Sequence, residues 1–419
     1  MIRAAFFLIG ITLPMMLVGC VSMVLPRVPT ETAGPPARPA IGTTGLSRES
    51  WEAGRADLLA RFEEQVYGAW PGDDPATVTE RRVIEEGAFD GRGRLEEWDL
   101  DLGRGLAHLV VILPENADGP APVIILQTFC GTRTALGGRE DLSPPVNASA
   151  RECGQTSGWQ GYLMTAIFGR YIAEPPIGEI LDRGYALAFL HPGDIVPDNA
   201  AGAAPALDRL MPDSEAGTAT ATGTGAIIAW AWGYARAVDA LESDPRFDRD
   251  RMAVWGHSRN AKSALVAAAF DTRIDLVLAH QGGTGGTTLT RSLDGESVAQ
   301  ITGAYPYWFN ETYAGYADRE DKIPLDQHQL IALMAPRPLL ISGGWRDAWS
   351  DPQGSFRAAQ GANPVYQLYG SQGLRQARLA GFDAEADIAV FMRRGLHGVQ
   401  PSDWDAFLEF LDAHFGHSE

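Results

Sequence analysis

Short apolar runs at 122–127 (PVIILQ) and 186–190 (ALAFL), each bounded by turn residues, have the pattern of parallel strands buried on both faces. Runs at 251–255, 274–279, 338–342 and 388–392 continue the series, and two further β-like runs cover 95–102 and 107–113. Between them the apolar period changes. Leu58, Leu59, Phe62 and Val66 recur at helical spacing within 48–67, a second helix is predicted over 225–241, and Trp404, Phe407, Leu408 and Leu411 form the stripe of a closing helix. Strands that alternate with helices predict an α/β fold, a doubly wound, mostly parallel sheet with helices on both faces.

The ends read differently. The first twenty residues, MIRAAFFLIGITLPMMLVGC, carry one Arg before an apolar run over 4–18, short for a membrane span and suited to the core of a signal peptide. Leu17-Val18-Gly19-Cys20 resembles the lipobox of bacterial lipoproteins, so residues 1–20 are expected to be a signal peptide and Cys20 the lipidated residue; an ordinary signal peptide or an uncleaved anchor is the alternative. Residues 21–47 are Pro- and Thr-rich without amphipathic period and predict a tether. Residues 48–419 then form one catalytic domain, with an insertion around 130–180 where Gly- and Pro-rich patches interrupt the pattern. The expected location is the bacterial cell envelope, periplasmic or outer-membrane, with a monomer held to the membrane through its N-terminal lipid only.

Charge narrows the partners. Acidic residues outnumber basic ones by 53 to 34, a formal charge of -19, which repels polyanions and argues against nucleic acid. An anionic ligand would need local cations. Besides Cys20 the chain has Cys130 and Cys153, which an oxidising envelope would allow to pair; two buried thiols fit the sequence as well. No Cys/His spacing suggests zinc, and neither metal nor cofactor is expected.

Candidate chemistry gathers at 252–265, MAVWGHSRNAKSAL. A β run meets Gly256-His257-Ser258, and an Ala-rich helical run follows at once, the setting of an α/β-hydrolase nucleophile. The turn lifts the Ser258 hydroxyl above the sheet edge and places the next backbone N–H at the positive end of a helix. The hydroxyl is then placed to attack a carbonyl and the N–H to stabilise the oxyanion. The usual motif is G-x-S-x-G, and Asn260 stands in place of the second Gly.

In this fold the order is Ser, acid, His. Of the later histidines, His280 comes too early, His328 precedes the acid strand, and His414 and His417 sit in the closing helix and tail, where solvation is expected. His397, in a Gly-flanked loop past the last strand, is the expected base. Asp347 and Asp351 both follow the strand at 338–342; Asp347 lies closer to its end, whereas Asp351 before Pro352 suits a turn.

Gly256-His257-Ser258-Arg259-Asn260-Ala261-Lys262 resembles the G-C-S-R-x-G-K signature of the glucuronoyl esterases, carbohydrate esterase family 15. Segments 323–328 (IPLDQH), 335–338 (APRP), Gly295-Glu296 and 305–309 (YPYWF) are similar to further pieces of that family. The resemblance implies cleavage, without cofactor or metal, of the ester joining a 4-O-methyl-glucuronate branch of xylan to a lignin alcohol. By position it implies that Arg259 assists the oxyanion, that Lys262 and Glu296 bind the uronate, and that Trp349 packs on the sugar. Three residues depart from the pattern. Gln281, in His280-Gln281-Gly282-Gly283-Thr284-Gly285-Gly286, replaces a Glu that serves as acid in many members, which leaves Asp347 for that role. His257 replaces a Cys that is disulfide-bonded in fungal relatives, and Ala261 replaces a Gly. The alternatives are a carbohydrate acetylesterase or general carboxylesterase, and an inactive hydrolase that binds polysaccharide as a surface lipoprotein.

Overall fold

A computed structural model of the chain describes residues 46–115, 117, 119–147, 168–169, 171–172, 174–211, 223–292 and 294–416. Cys20, nearly all of the 21–47 segment, Cys153, His417 and much of the insertion expected around 130–180 lie outside the described residues. Cys130 is disulfide-bonded.

Among the described residues nine strands form one sheet: β1 (Thr77–Gly87), β2 (Gly93–Asp101), β3 (Leu106–Pro114), β4 (Ala121–Gln127), β5 (Ala186–Leu190), β6 (Phe247–His257), β7 (Leu276–His280), β8 (Leu339–Gly344) and β9 (Ile388–Arg393). Their spatial order is β1-β2-β3-β5-β4-β6-β7-β8-β9. The β1–β2, β2–β3 and β3–β5 pairings are antiparallel. From β5 to β9 every neighbouring pair is parallel.

The continuous apolar runs are explained by burial on both faces. Along β4, Val123 and Ile125 join the core beneath α1 (Arg48–Phe62), α2 (Ala226–Glu242), α3 (Arg259–Phe270) and α4 (Pro352–Leu368), while Ile124 and Leu126 face the opposite core. That second core is closed by α5 (Pro401–Phe415), whose Trp404 stacks on Trp255 of β6 with ring centroids 5.6 Å apart. β1 and β6 differ from the sequence expectation, and α4 has no counterpart in it. β1 is mainly exposed; its TVTERRVIEEG sequence lacks a buried apolar face, and its order comes from pairing with β2. β6 starts at Phe247, because the charged stretch Asp248-Arg249-Asp250 that follows is carried on the strand. His414, expected in solvent, is half-buried against Phe410, with ring centroids 4.5 Å apart.

Register places the site. His257 pairs with His280, His280 with Ser342, and Gly344 with Arg393. The chain therefore leaves β6, β7, β8 and β9 side by side at their carboxyl ends, where open α/β sheets bind ligands. Ser258 N–H donates to His280 O at 2.9 Å and Gln281 N–H to Ser342 O at 2.8 Å, so each exit is tied to the next.

Candidate active site

Ser258 follows β6 directly, with φ 57 and ψ -122, and stands at the N-cap position of α3 with no capping bond from its side chain. A non-glycine residue rarely holds this conformation, and it persists where surrounding structure enforces it. The enforcement is local. A Cβ on Gly256 would lie 2.0 Å from Asn260 O, so only glycine permits the helix to double back against the strand. Asn260, at the position of the missing second Gly, is fully buried and donates from Nδ2 to Gln127 O on β4 at 2.9 Å. The departure from the usual motif thus ties the helix start to the sheet.

His397 lies in the loop after β9. Its Nδ1 is 2.8 Å from Asp347 Oδ2, and its ring centroid is 4.7 Å from that of His257, the residue preceding the serine. With Nδ1–H directed at a carboxylate, Nε2 is the basic nitrogen. Burial opposes ionisation of Asp347, yet the hydrogen bond and charge of His397 and hydrogen bonds from Ser350 carry its carboxyl below the usual range. Burial also drives His257 well down, helped by the charges of His397, His280 and Arg393, and takes His280 to about 4. His257, packed on the His397 ring, and His280, packed on His257 with centroids 5.1 Å apart, are therefore neutral and do not oppose a proton on His397.

Asp351 is placed elsewhere. It caps α4 through Gly354 N–H at 2.8 Å, accepts from the Ser292 hydroxyl and lies 3.8 Å from Arg357. Of the two candidates, Asp347 is the one the fold brings to His397.

The loop bearing His397 has little freedom. Arg393, paired with Asp403 at 2.5 Å, donates to the carbonyls of Leu396 and Gly398. His280 Nε2 reaches Gly398 O at 2.8 Å. A Cβ on Gly344 would stand 2.5 Å from Gly395 O, so the glycine at the end of β8 admits this loop.

Lys262, one turn along α3 from Ser258, is buried, with Nζ donating to Gly282 O at 2.5 Å and Thr284 O at 2.6 Å. Burial pushes its pKa down to about 8, against the charges of Glu296 and Asp347. Glu296 is half-buried; burial raises its carboxyl, while Lys262 and a hydrogen bond from the Trp349 side chain act the other way. Trp349 itself is 53% exposed. Its backbone carbonyl accepts from Glu296 N–H at 2.9 Å, so ring and carboxylate share one rim.

Arg259 pairs with Asp198 Oδ2 at 3.0 Å and lies over the Phe129 ring, 4.6 Å from its centroid. Asp198 Oδ1 accepts from Tyr307 Oη and Trp308 Nε1, each at 2.9 Å. No sequence pattern singles out Asp198, an isolated loop acid, and Tyr307 and Trp308 stand out only within the YPYWF segment. Among the described residues, no group of three or more His, Cys, Asp or Glu is placed to hold a metal, and no helix is long and apolar enough to cross a membrane.

Comparison with known proteins identifies the family. A family model described as glucuronyl esterase, fungi, matches residues 219–370. A solved glucuronoyl esterase from Solibacter usitatus has a TM-score of 0.77 and 30% identity, covering 92% of this chain and 99% of that one. Carbohydrate esterase MZ0003, from an unknown prokaryotic organism, is 33% identical over 404 residues, 93% of this chain and 90% of that protein. The chain belongs to the glucuronoyl esterases, carbohydrate esterase family 15. A 4-O-methyl-glucuronoyl methylesterase of Hypocrea jecorina is 38% identical over 156 residues, 35% of this chain and 34% of that protein. The α/β-hydrolase fold and esterase activity expected from the serine segment are those of this family.

Proposed function

We propose that this glucuronoyl esterase hydrolyses esters of 4-O-methyl-glucuronate through an acyl-enzyme on Ser258. The observation that carries the reading is the 2.8 Å contact between His397 Nδ1 and Asp347 Oδ2 beside the Ser258 turn, in a chain related to a 4-O-methyl-glucuronoyl methylesterase.

His397 Nε2 takes the Ser258 proton as Oγ adds to the ester carbonyl. The oxygen that becomes negative is met by the Arg259 backbone N–H and guanidinium; loss of one such donor typically costs about 3 kcal/mol. Collapse breaks the bond to the alkoxy oxygen, and the departing alcohol receives the proton from His397. Water then gives a proton to His397 and adds to the acyl carbon; the bond from Ser258 Oγ to that carbon breaks, Oγ takes the proton back from His397, and glucuronate leaves. Asp347 holds the imidazole and stabilises its charged form without taking the proton.

An esterified uronate carries no charge. Lys262 therefore serves as a hydrogen-bond donor to sugar hydroxyls rather than as a counter-ion, Glu296 accepts from the sugar, and the exposed face of Trp349 packs on the ring. The product is an anion, which the chain's charge of -19 helps to expel. The proposed natural substrate joins xylan to a lignin alcohol, and the enzyme acts as a monomer at a bacterial cell envelope, held by a lipid on Cys20.

Rates on benzyl glucuronate and on an acetylated xylose test the substrate class. A higher kcat/KM for the uronate ester is expected; preference for the acetate would overturn the assignment.

A further inference from the structure

Gln281 is the first residue past β7 and holds φ 54 while buried. Its carboxamide joins two other strand exits. Oε1 accepts from Gly398 N–H at 2.7 Å, and Nε2 donates to Leu396 O at 3.2 Å, so the backbone on either side of His397 is gripped by one side chain. Those two contacts also fix the amide orientation, because a backbone N–H needs the oxygen and a carbonyl needs the nitrogen. The nitrogen so placed donates to Asp347 Oδ2 at 2.9 Å, the same oxygen that His397 Nδ1 reaches at 2.8 Å.

We propose that Gln281 is a positioning residue of the esterase reaction, whose single amide sets the acid and the base of the triad relative to each other. The proposal rests on the triad of Ser258, His397 and Asp347. Two N–H groups converging on Asp347 Oδ2 fix the carboxylate plane, and the Gly398 and Leu396 contacts fix the imidazole's loop in the same frame. The residue type is matched to the acid. An ionised Glu at 281 keeps an acceptor for Gly398 N–H but turns a carboxylate oxygen toward Asp347, where like charges repel. With Asp347 as the acid, the neutral amide supplies both the donor and the acceptor that this place requires.

A double-mutant cycle tests this, because residues acting through a shared partner are non-additive and independent ones are additive. Gln281→Met, close in size and without hydrogen bonds, is measured alone and with Asp347→Asn, using kcat and KM on benzyl glucuronate and thermal unfolding of each variant. The expected result is a fall in kcat of about ten- to hundredfold in the single Gln281 variant with KM within about threefold. With Asn at 347 the same change costs less than about threefold. Equal losses in both backgrounds, or no loss in the wild-type background, overturn the proposal. Should Gln281→Met fail to fold, Gln281→Glu, which keeps the size and the acceptor, enters the same cycle with non-additivity again expected and additivity again contradictory. Wild-type turnover in Asp347→Asn alone would instead show that the triad reading is at fault.

Discussion

Asp198 holds Arg259 at 3.0 Å through one carboxylate oxygen while its other oxygen takes the donors of Tyr307 and Trp308. The residue after the nucleophile is thereby fixed by side chains distant in sequence, with Phe129 beneath the guanidinium. In the proposed mechanism, a cation so placed meets the developing oxyanion without first having to reorganise.

Replacing Asp198 by Ala should therefore slow the reaction. Loss of a charge-assisted partner is worth about 1.5–3 kcal/mol, or roughly ten- to hundredfold in kcat/KM. Steady-state kinetics on benzyl glucuronate checks this, and an unchanged kcat/KM in a folded Asp198→Ala protein would separate Arg259 from the oxyanion.

The two candidate acids should behave in opposite ways. Asp347→Asn is expected to lower kcat by about a thousand- to ten-thousandfold with little change in Tm, as when the acid that sets the tautomer is neutralised. Asp351→Asn should leave kcat within a few-fold and lower stability by about 1 kcal/mol or more, because it weakens the α4 cap and the Arg357 pair. Kinetics and thermal unfolding on both proteins read the contrast.

Lys262 predicts a pH effect on binding. Its depressed pKa, about 8, means that the folded protein holds the charged form below that value and the neutral amine above it. The ammonium has three N–H donors, of which two go to Gly282 O and Thr284 O. Deprotonation leaves only two, so the donor for the sugar is lost and KM should rise as pH passes about 8 while kcat is less affected. In Lys262→Met this rise should vanish; its persistence would place the titrating group elsewhere.

Much of the fold was legible because burial on both faces leaves continuous apolar runs, as at β4 and β5, and because a strand, Gly256-His257-Ser258 and a helix follow one another without a break. β1 was not legible, since its charged residues are ordered by pairing rather than by a buried face. Sequence order placed His397 and narrowed the acid to two residues. Only tertiary structure separates Asp347, directed at the imidazole, from Asp351, four residues on and engaged in capping a helix. Gln281 read in sequence as the loss of a carboxylate, whereas the fold gives its amide three partners. Asp198 carried no periodic or motif signal, and its role exists only through contacts with α3 and the 305–309 segment.

The central claim is that ester cleavage passes through an acyl group on Ser258. Acid quenching during turnover of benzyl 4-O-methyl-glucuronate, followed by mass mapping of the peptide that contains residue 258, tests it most directly. A 4-O-methyl-glucuronoyl adduct on Ser258, absent in Ser258→Ala together with turnover, is the predicted result; turnover retained in Ser258→Ala, or an adduct on another residue, would contradict it.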